Sequence, residues 1–82
     1  MIISIKTTGL LGKFLPEGSA RNLGDVELPD DSSVRALLDQ LKIPDGRCLV
    51  TVNGELVQKE EFESTVLTAS DKVVLMAPLA AG

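Results

Sequence analysis

The chain contains no histidine, no tryptophan and no tyrosine, and only one cysteine. Without histidine neither a Ser-His nor a Cys-His nucleophile system can be assembled. The mixed Cys/His clusters that hold structural metals are excluded as well. Cys48 cannot close an internal disulfide, and at the start of a β-rich run it reads as a small sheet residue rather than a reactive thiol. Aromatic residues make up 2% of the chain, Phe14 and Phe62, while 44% is hydrophobic. The core must therefore be aliphatic. No apolar run approaches the roughly 18 residues of a membrane span. The opening MIISIKTTG lacks the basic and long apolar regions of a signal peptide. The expectation is a soluble cytoplasmic protein. With 12 acidic and 8 basic residues the formal charge is -4, which argues against nucleic acid or a membrane as partner and favours a protein with a basic docking face.

At 82 residues there is room for one small domain in which every apolar face must be used. Residues 2–7 alternate, Ile3 and Ile5 facing one way and Ser4 and Lys6 the other, the period of a half-buried strand. Residues 8–23 carry Gly9, Gly12, Gly18 and Pro16 among Leu10, Leu11, Phe14 and Leu15. That is too broken for a strand, and its apolar side chains predict a long loop folded over the core. Residues 24–28 read as a returning strand. Asp30-Asp31-Ser32-Ser33 supplies capping side chains for a helix of about ten residues. Val34, Leu37, Leu38 and Leu41 form its apolar stripe, and Pro44 stops it. Residues 48–52 are strongly β-branched and lead into Asn53-Gly54, the signature of a tight hairpin, with residues 55–57 returning. Residues 58–64, with Glu60, Glu61 and Glu63, read as a solvated turn. Residues 72–76, KVVLM, are apolar enough for an interior strand.

The order ββαβ(β)β predicts an α+β fold, a mixed sheet of four to five strands with one main helix packed on one face. A β-grasp accounts for every piece, although the pattern alone leaves other small α+β arrangements open. Few residues remain to carry chemistry. The carboxylates are explained by capping and solvation, and Gly9 to Phe14 lacks the spacing of a phosphate loop. The ending MAPLAAG is what stands out. Pro78 cannot donate to a ladder, so pairing should stop there, and Leu79, Ala80, Ala81 and Gly82 offer one anchoring side chain and then almost no bulk. Such a segment can thread a narrow site in another protein.

Taken together, Glu27-Leu28-Pro29, the Leu37-Leu38 pair, Val52-Asn53-Gly54-Glu55, and Asp71 to Leu75 leading to Ala77-Pro78-Leu79-Ala80-Ala81-Gly82 resemble the small sulfur-carrier family of ubiquitin-like β-grasp proteins. That family includes the small subunit of molybdopterin synthase and the thiamine sulfur carrier. The resemblance implies a β-grasp domain over residues 1–78 and a flexible tail over 79–82. It implies a carrier or substrate protein rather than an enzyme, a possible small subunit of a synthase complex. Its Gly82 carboxylate would be adenylated by an E1-like adenylating enzyme and converted to a thiocarboxylate for molybdopterin or thiamine biosynthesis. ATP and magnesium would belong to that enzyme, with no cofactor and no metal on this chain, and a sulfur-accepting synthase subunit would be the second partner. Ala81 stands where the family pattern has glycine, which favours an alternative, a ubiquitin-like interaction module or protein modifier whose tail is not thiolated. Period two predicts that Val50, Val52, Val73 and Leu75 face the helix, so that Leu49, Thr51, Val74 and Met76 form an outward partner-binding patch. Amide exchange should find residues 72–76 protected and residues 80–82 exchanging fast; strong protection of the latter in the isolated protein would remove the threading argument.

Overall fold

Ile2–Thr7 forms β1 and pairs antiparallel with β2, Leu23–Glu27, in the register Ile3↔Val26 and Ile5↔Gly24. These belong to a computed structural model that describes residues 1–8, 11, 14–15, 22–43 and 48–76. The second hairpin is β3, Leu49–Val52, with β4, Glu55–Val57. Its turn places Asn53 at φ 54° and Gly54 at φ 87°, the two positive values that a two-residue hairpin needs and that explain the Asn-Gly pair. The last strand, β5 over Lys72–Met76, lies between the hairpins, parallel to β1 and antiparallel to β3. The sheet order is β2-β1-β5-β3-β4, so β5 is interior, as its apolar run predicts.

Helix α1, Val34–Leu41, buries Val34, Leu37, Leu38 and Leu41, the four positions of its predicted stripe. They join Ile3, Ile5, Val26, Val50, Val73 and Leu75 in one core, with Val52 partly buried against it. The arrangement is a β-grasp, a mixed sheet with one helix on one face. No helix among the described residues is long and apolar enough to cross a membrane. Of the long first loop, Leu11 is buried in the core and Phe14 and Leu15 pack partly against it, which places its described part over the core as expected.

Three local readings change. The helix is capped by Ser33, whose Oγ accepts from the Ala36 amide at 3.2 Å, and not by the aspartates. Asp30 instead lies 3.4 Å from the Met1 ammonium, and Asp31 takes a left-handed φ of 65°. The helix also ends earlier than expected, at Lys42 with φ 59°, whose amide turns back to the carbonyls of Leu38 and Asp39. This left-handed cap closes the helix two residues ahead of Pro44, which is itself outside the described residues. Finally, the acidic stretch is more than a solvated turn. Lys59–Glu61 makes a short 3-10 turn, Gln58 N–H donating to Glu61 Oε1, and directly after it Phe62 is only 5% exposed.

Phe62 explains why this stretch is ordered. Its carbonyl accepts the Arg35 amide at 3.0 Å and the Thr65 carbonyl accepts the Val34 amide at 2.9 Å. Together with Ser33 they satisfy the helix's first amides, which would otherwise lack partners. The Arg35 guanidinium lies 5.4 Å from the centre of the Phe62 ring. Removing this ring should leave a cavity beneath the helix start. Phe62→Ala is expected to lower unfolding free energy by about 3 to 5 kcal/mol, and Phe62→Leu by less than about 1.5 kcal/mol, in urea titrations. Equal, small losses would mean that the ring does not organise the turn.

Candidate functional site

Because side chains alternate along a strand, every inward position on β5 and β3 sends its neighbour to the face away from the helix. Val50, Val73 and Leu75 are buried beneath α1. Leu49 and Met76 are cross-strand partners on the other face, as are Thr51 and Val74. The structure therefore brings Leu49, Thr51, Val74 and Met76 together as one patch. Leu49 is 45% exposed, and the other three are half-buried by their neighbours.

Strand β4 enlarges this patch with a residue the sequence reading missed. Leu56 pairs with Thr51 and is 50% exposed. The signal was present, because a two-residue Asn-Gly turn fixes the register and puts Leu56 opposite Thr51. On the other side Lys6 pairs with both Val74 and Leu23. One row of directly opposed residues, Leu23, Lys6, Val74, Thr51 and Leu56, thus crosses all five strands on the open face. Leu49 and Leu56 also border a small depression of about 200 Å³ reaching Cys48 and Phe62.

The entry to β5 is fastened by side chains. Asn53 Nδ2 donates to Asp71 Oδ1 at 2.9 Å, while Asn53 Oδ1 accepts the Lys72 amide at 2.9 Å. The other Asp71 oxygen accepts the Thr68 amide at 2.8 Å. The hydrogen bond from Asn53 is the largest cause, and that from the Thr68 backbone the next, of an Asp71 pKa held below the ordinary carboxylate value. Asn53 serves the hairpin and the final strand at once. This network fixes where β5 begins and therefore the register in which the chain runs toward its end.

Pro78, Leu79, Ala80, Ala81 and Gly82 lie outside the described residues. Among the described residues, no group of three or more histidine, cysteine, aspartate or glutamate side chains is arranged to hold a metal ion. The site as described is a partly apolar, exposed sheet face with a fastened central strand.

Residues 18–82 match the ThiS family, a stretch that takes in β2, α1, the second hairpin, β5 and everything after it. No curated protein matches the chain by sequence. Among solved structures, the chain is similar to the thiamine biosynthesis protein ThiS of Geobacter metallireducens, with a TM-score of 0.62, 20% identity, and coverage of 98% of this chain and 100% of that one. It is similar to SAMP1, the small archaeal modifier protein of Haloferax volcanii, with a TM-score of 0.71, 21% identity and full coverage of both chains. It is also similar to a chain in the complex of subunits 1 and 2 of the molybdopterin-converting factor of Helicobacter pylori, at 0.60 and 21%, again over both full lengths. At these identities the structures establish a shared fold.

The Asp71 network has a pH signature. A carboxylate whose folded pKa is depressed stabilises the fold above its unfolded pKa of about 3.9, and that contribution is lost as pH falls through the folded value. Asp71→Asn should cost about 1 kcal/mol at neutral pH. The gap to the parent should narrow below about pH 4, where the parent is also losing its charge. Urea midpoints at pH 7 and pH 3 measure this; a gap unchanged between them would show that the ionised carboxylate is not what holds β5.

Proposed function

We propose that this chain, which belongs to the ThiS family, is a sulfur carrier whose Gly82 carboxylate is adenylated by an E1-like enzyme and then converted to a thiocarboxylate. The observation that carries the reading is the family match over residues 18–82, which includes β5 and the segment through Gly82. The chain acts as substrate and carrier, while ATP and magnesium are bound by the activating enzyme. Its partners are that enzyme and a sulfur-accepting synthase subunit in molybdopterin or thiamine biosynthesis, in the cytoplasm.

The chemistry follows from the poor reactivity of a carboxylate, which would have to expel oxide. Attack of a Gly82 oxygen on the α-phosphorus of ATP releases pyrophosphate and leaves an acyl adenylate. Sulfur supplied at the oxidation level of sulfide then attacks the carbonyl carbon, AMP leaves, and Gly82 ends in a thiocarboxylate. The chain's own contribution is delivery. A proline at position 78 has no amide to give a strand ladder, a leucine at 79 offers the segment one anchoring side chain, and the small side chains of Ala80, Ala81 and Gly82 would let it enter a channel. Leu49, Thr51, Val74 and Met76, enlarged by Leu56, form the surface that docks while the tail is inserted.

A second reading, a ubiquitin-like modifier or interaction module, draws on Ala81. A methyl at that position disfavours positive φ and adds bulk beside the reacting residue. Mass spectrometry separates the two. Incubation with the cognate adenylating enzyme, ATP-magnesium and a sulfide donor should raise the intact mass by the difference between one sulfur and one oxygen, located in the C-terminal peptide. Deleting Gly82 should abolish the gain, and Ala81→Gly should match or exceed the parent rate. If the enzyme activates a carrier ending in two glycines but gives neither pyrophosphate exchange nor a mass change with this chain, the carrier reading falls and the modifier reading replaces it.

A further inference from the structure

The charges that border the docking patch run against the charge of the molecule. Among 12 acidic and 8 basic residues, those flanking Val74 on the open face are both lysines. Lys6 pairs directly with Val74, and Lys72 lies two residues before it on β5, opposite Ser4. Strand spacing and rise put the two Cα atoms roughly 8 Å apart. Both side chains stand on the same face, and both residues are exposed. Neither ammonium lies within ion-pair distance of a carboxylate among the described residues. The nearest acids have other roles or other places. Asp71 gives its oxygens to Asn53 and Thr68; Asp25 shares the open face, in one row with Ser4 and Lys72, but stands on the edge strand β2 outside the lining of the depression between the lysines, and Glu27 lies farther along that strand opposite Ile2.

Between the lysines the face is recessed. An open depression of about 410 Å³ is bounded by Lys6, Lys72, Ser4, Leu23, Val74 and Asp71 among its lining residues. It adjoins the apolar patch through Val74, so a surface covering the patch must also cover the lysines. Covering them with apolar groups would strip water from two ammonium ions and return nothing. A carboxylate placed between them would replace that water with charge-assisted hydrogen bonds.

Resting on the carrier reading, we propose that the activating enzyme meets this face with an apolar surface edged by at least one carboxylate, which seats between Lys6 and Lys72 while apolar side chains cover Val74, Thr51, Met76, Leu49 and Leu56. The lysines select the partner and orient it; the apolar patch supplies most of the buried area. Net charge alone would have favoured a basic partner, and the local arrangement of the face reverses that preference.

The test is titration of the purified cognate adenylating enzyme with the full chain by calorimetry, at low and moderate salt. The double variant Lys6→Glu/Lys72→Glu should bind about tenfold or more weakly than the parent and lose the parent's weakening with salt. Lys42→Glu, an equal change per site at the helix's end, should bind like the parent. Met76→Asp should weaken binding at both salt concentrations. Thermal unfolding of each variant must match the parent, as exposed side chains predict. Parent-like, salt-independent binding by the double variant, with normal sulfur gain, would overturn this inference and leave the carrier reading intact. Failure of the parent itself to bind and gain sulfur would overturn both. Sedimentation showing a parent dimer that the double variant dissolves would assign the face to a second copy of the chain and overturn the inference.

Discussion

The fold depends on one pairing event, the insertion of β5 between β1 and β3. Without it the molecule is two antiparallel hairpins, β1-β2 and β3-β4, and an isolated hairpin is marginal in water. With it the hairpins become one sheet whose inner face, through fully buried Val73 and Leu75, completes the core under the helix. The strand that closes the sheet is the last one, so the first strand must wait for nearly the whole chain before finding its parallel partner, a long-range contact of high entropic cost. The compensation is rigidity where it is useful. The segment that follows β5 leaves from the middle of the sheet rather than from an edge, and its starting point is set by ladders on both sides.

The same pairing explains why side chains rather than loops control the register. Asn53 sits in a hairpin turn for its backbone conformation, yet its amide group bridges to Asp71 and to the Lys72 backbone. Residues 62–65 are similarly shared, since carbonyls in that stretch accept the first amides of α1 while Phe62 fills the space beneath. In a domain of this size such double use is expected, because there is too little core to stabilise each element separately. Local elements are thus fastened to one another at their ends.

What was legible in the sequence was what repeats with a fixed period or is written in turn chemistry. The alternation in Ile2–Thr7, the leucine stripe of α1 and the Asn-Gly turn gave the elements, and the family resemblance gave their arrangement. The face carrying Leu49, Thr51, Val74 and Met76 followed from period two alone. Less legible was everything decided by partners distant in sequence. Ser33, Asp30 and Asp31 are all plausible caps locally; the Met1 ammonium takes Asp30, and only the fold reveals that. Phe62 and Leu67, 5% and 1% exposed, lie in polar surroundings with no periodic neighbours, so nothing local marked them as core. Lys72 and Lys6 are separated by most of the chain, and only the parallel β1-β5 register makes them neighbours.

That last pair bears on how charge should be read in a small acidic domain. A formal charge of -4 describes the field at distances beyond the Debye length, about 10 Å or less at ordinary ionic strength, where the molecule's far field is already screened. Association at a protein surface is governed by the groups that lose water on contact, and beside the apolar patch on the open face these would include Lys6 and Lys72. Several acidic residues lie away from that face, Asp30 and Asp31 near the helix start, Asp39 on the helix, and Glu60, Glu61 and Glu63 around the 3-10 turn, whereas Asp25 and Glu27 share the open face on the edge strand β2. That distribution leaves Lys6 and Lys72 as the charged side chains beside Val74 on the open face. A partner that matched the net charge would gain weak, screened attraction. One that matched the face would satisfy both ammonium ions as they are buried, and that difference in desolvation is the larger one.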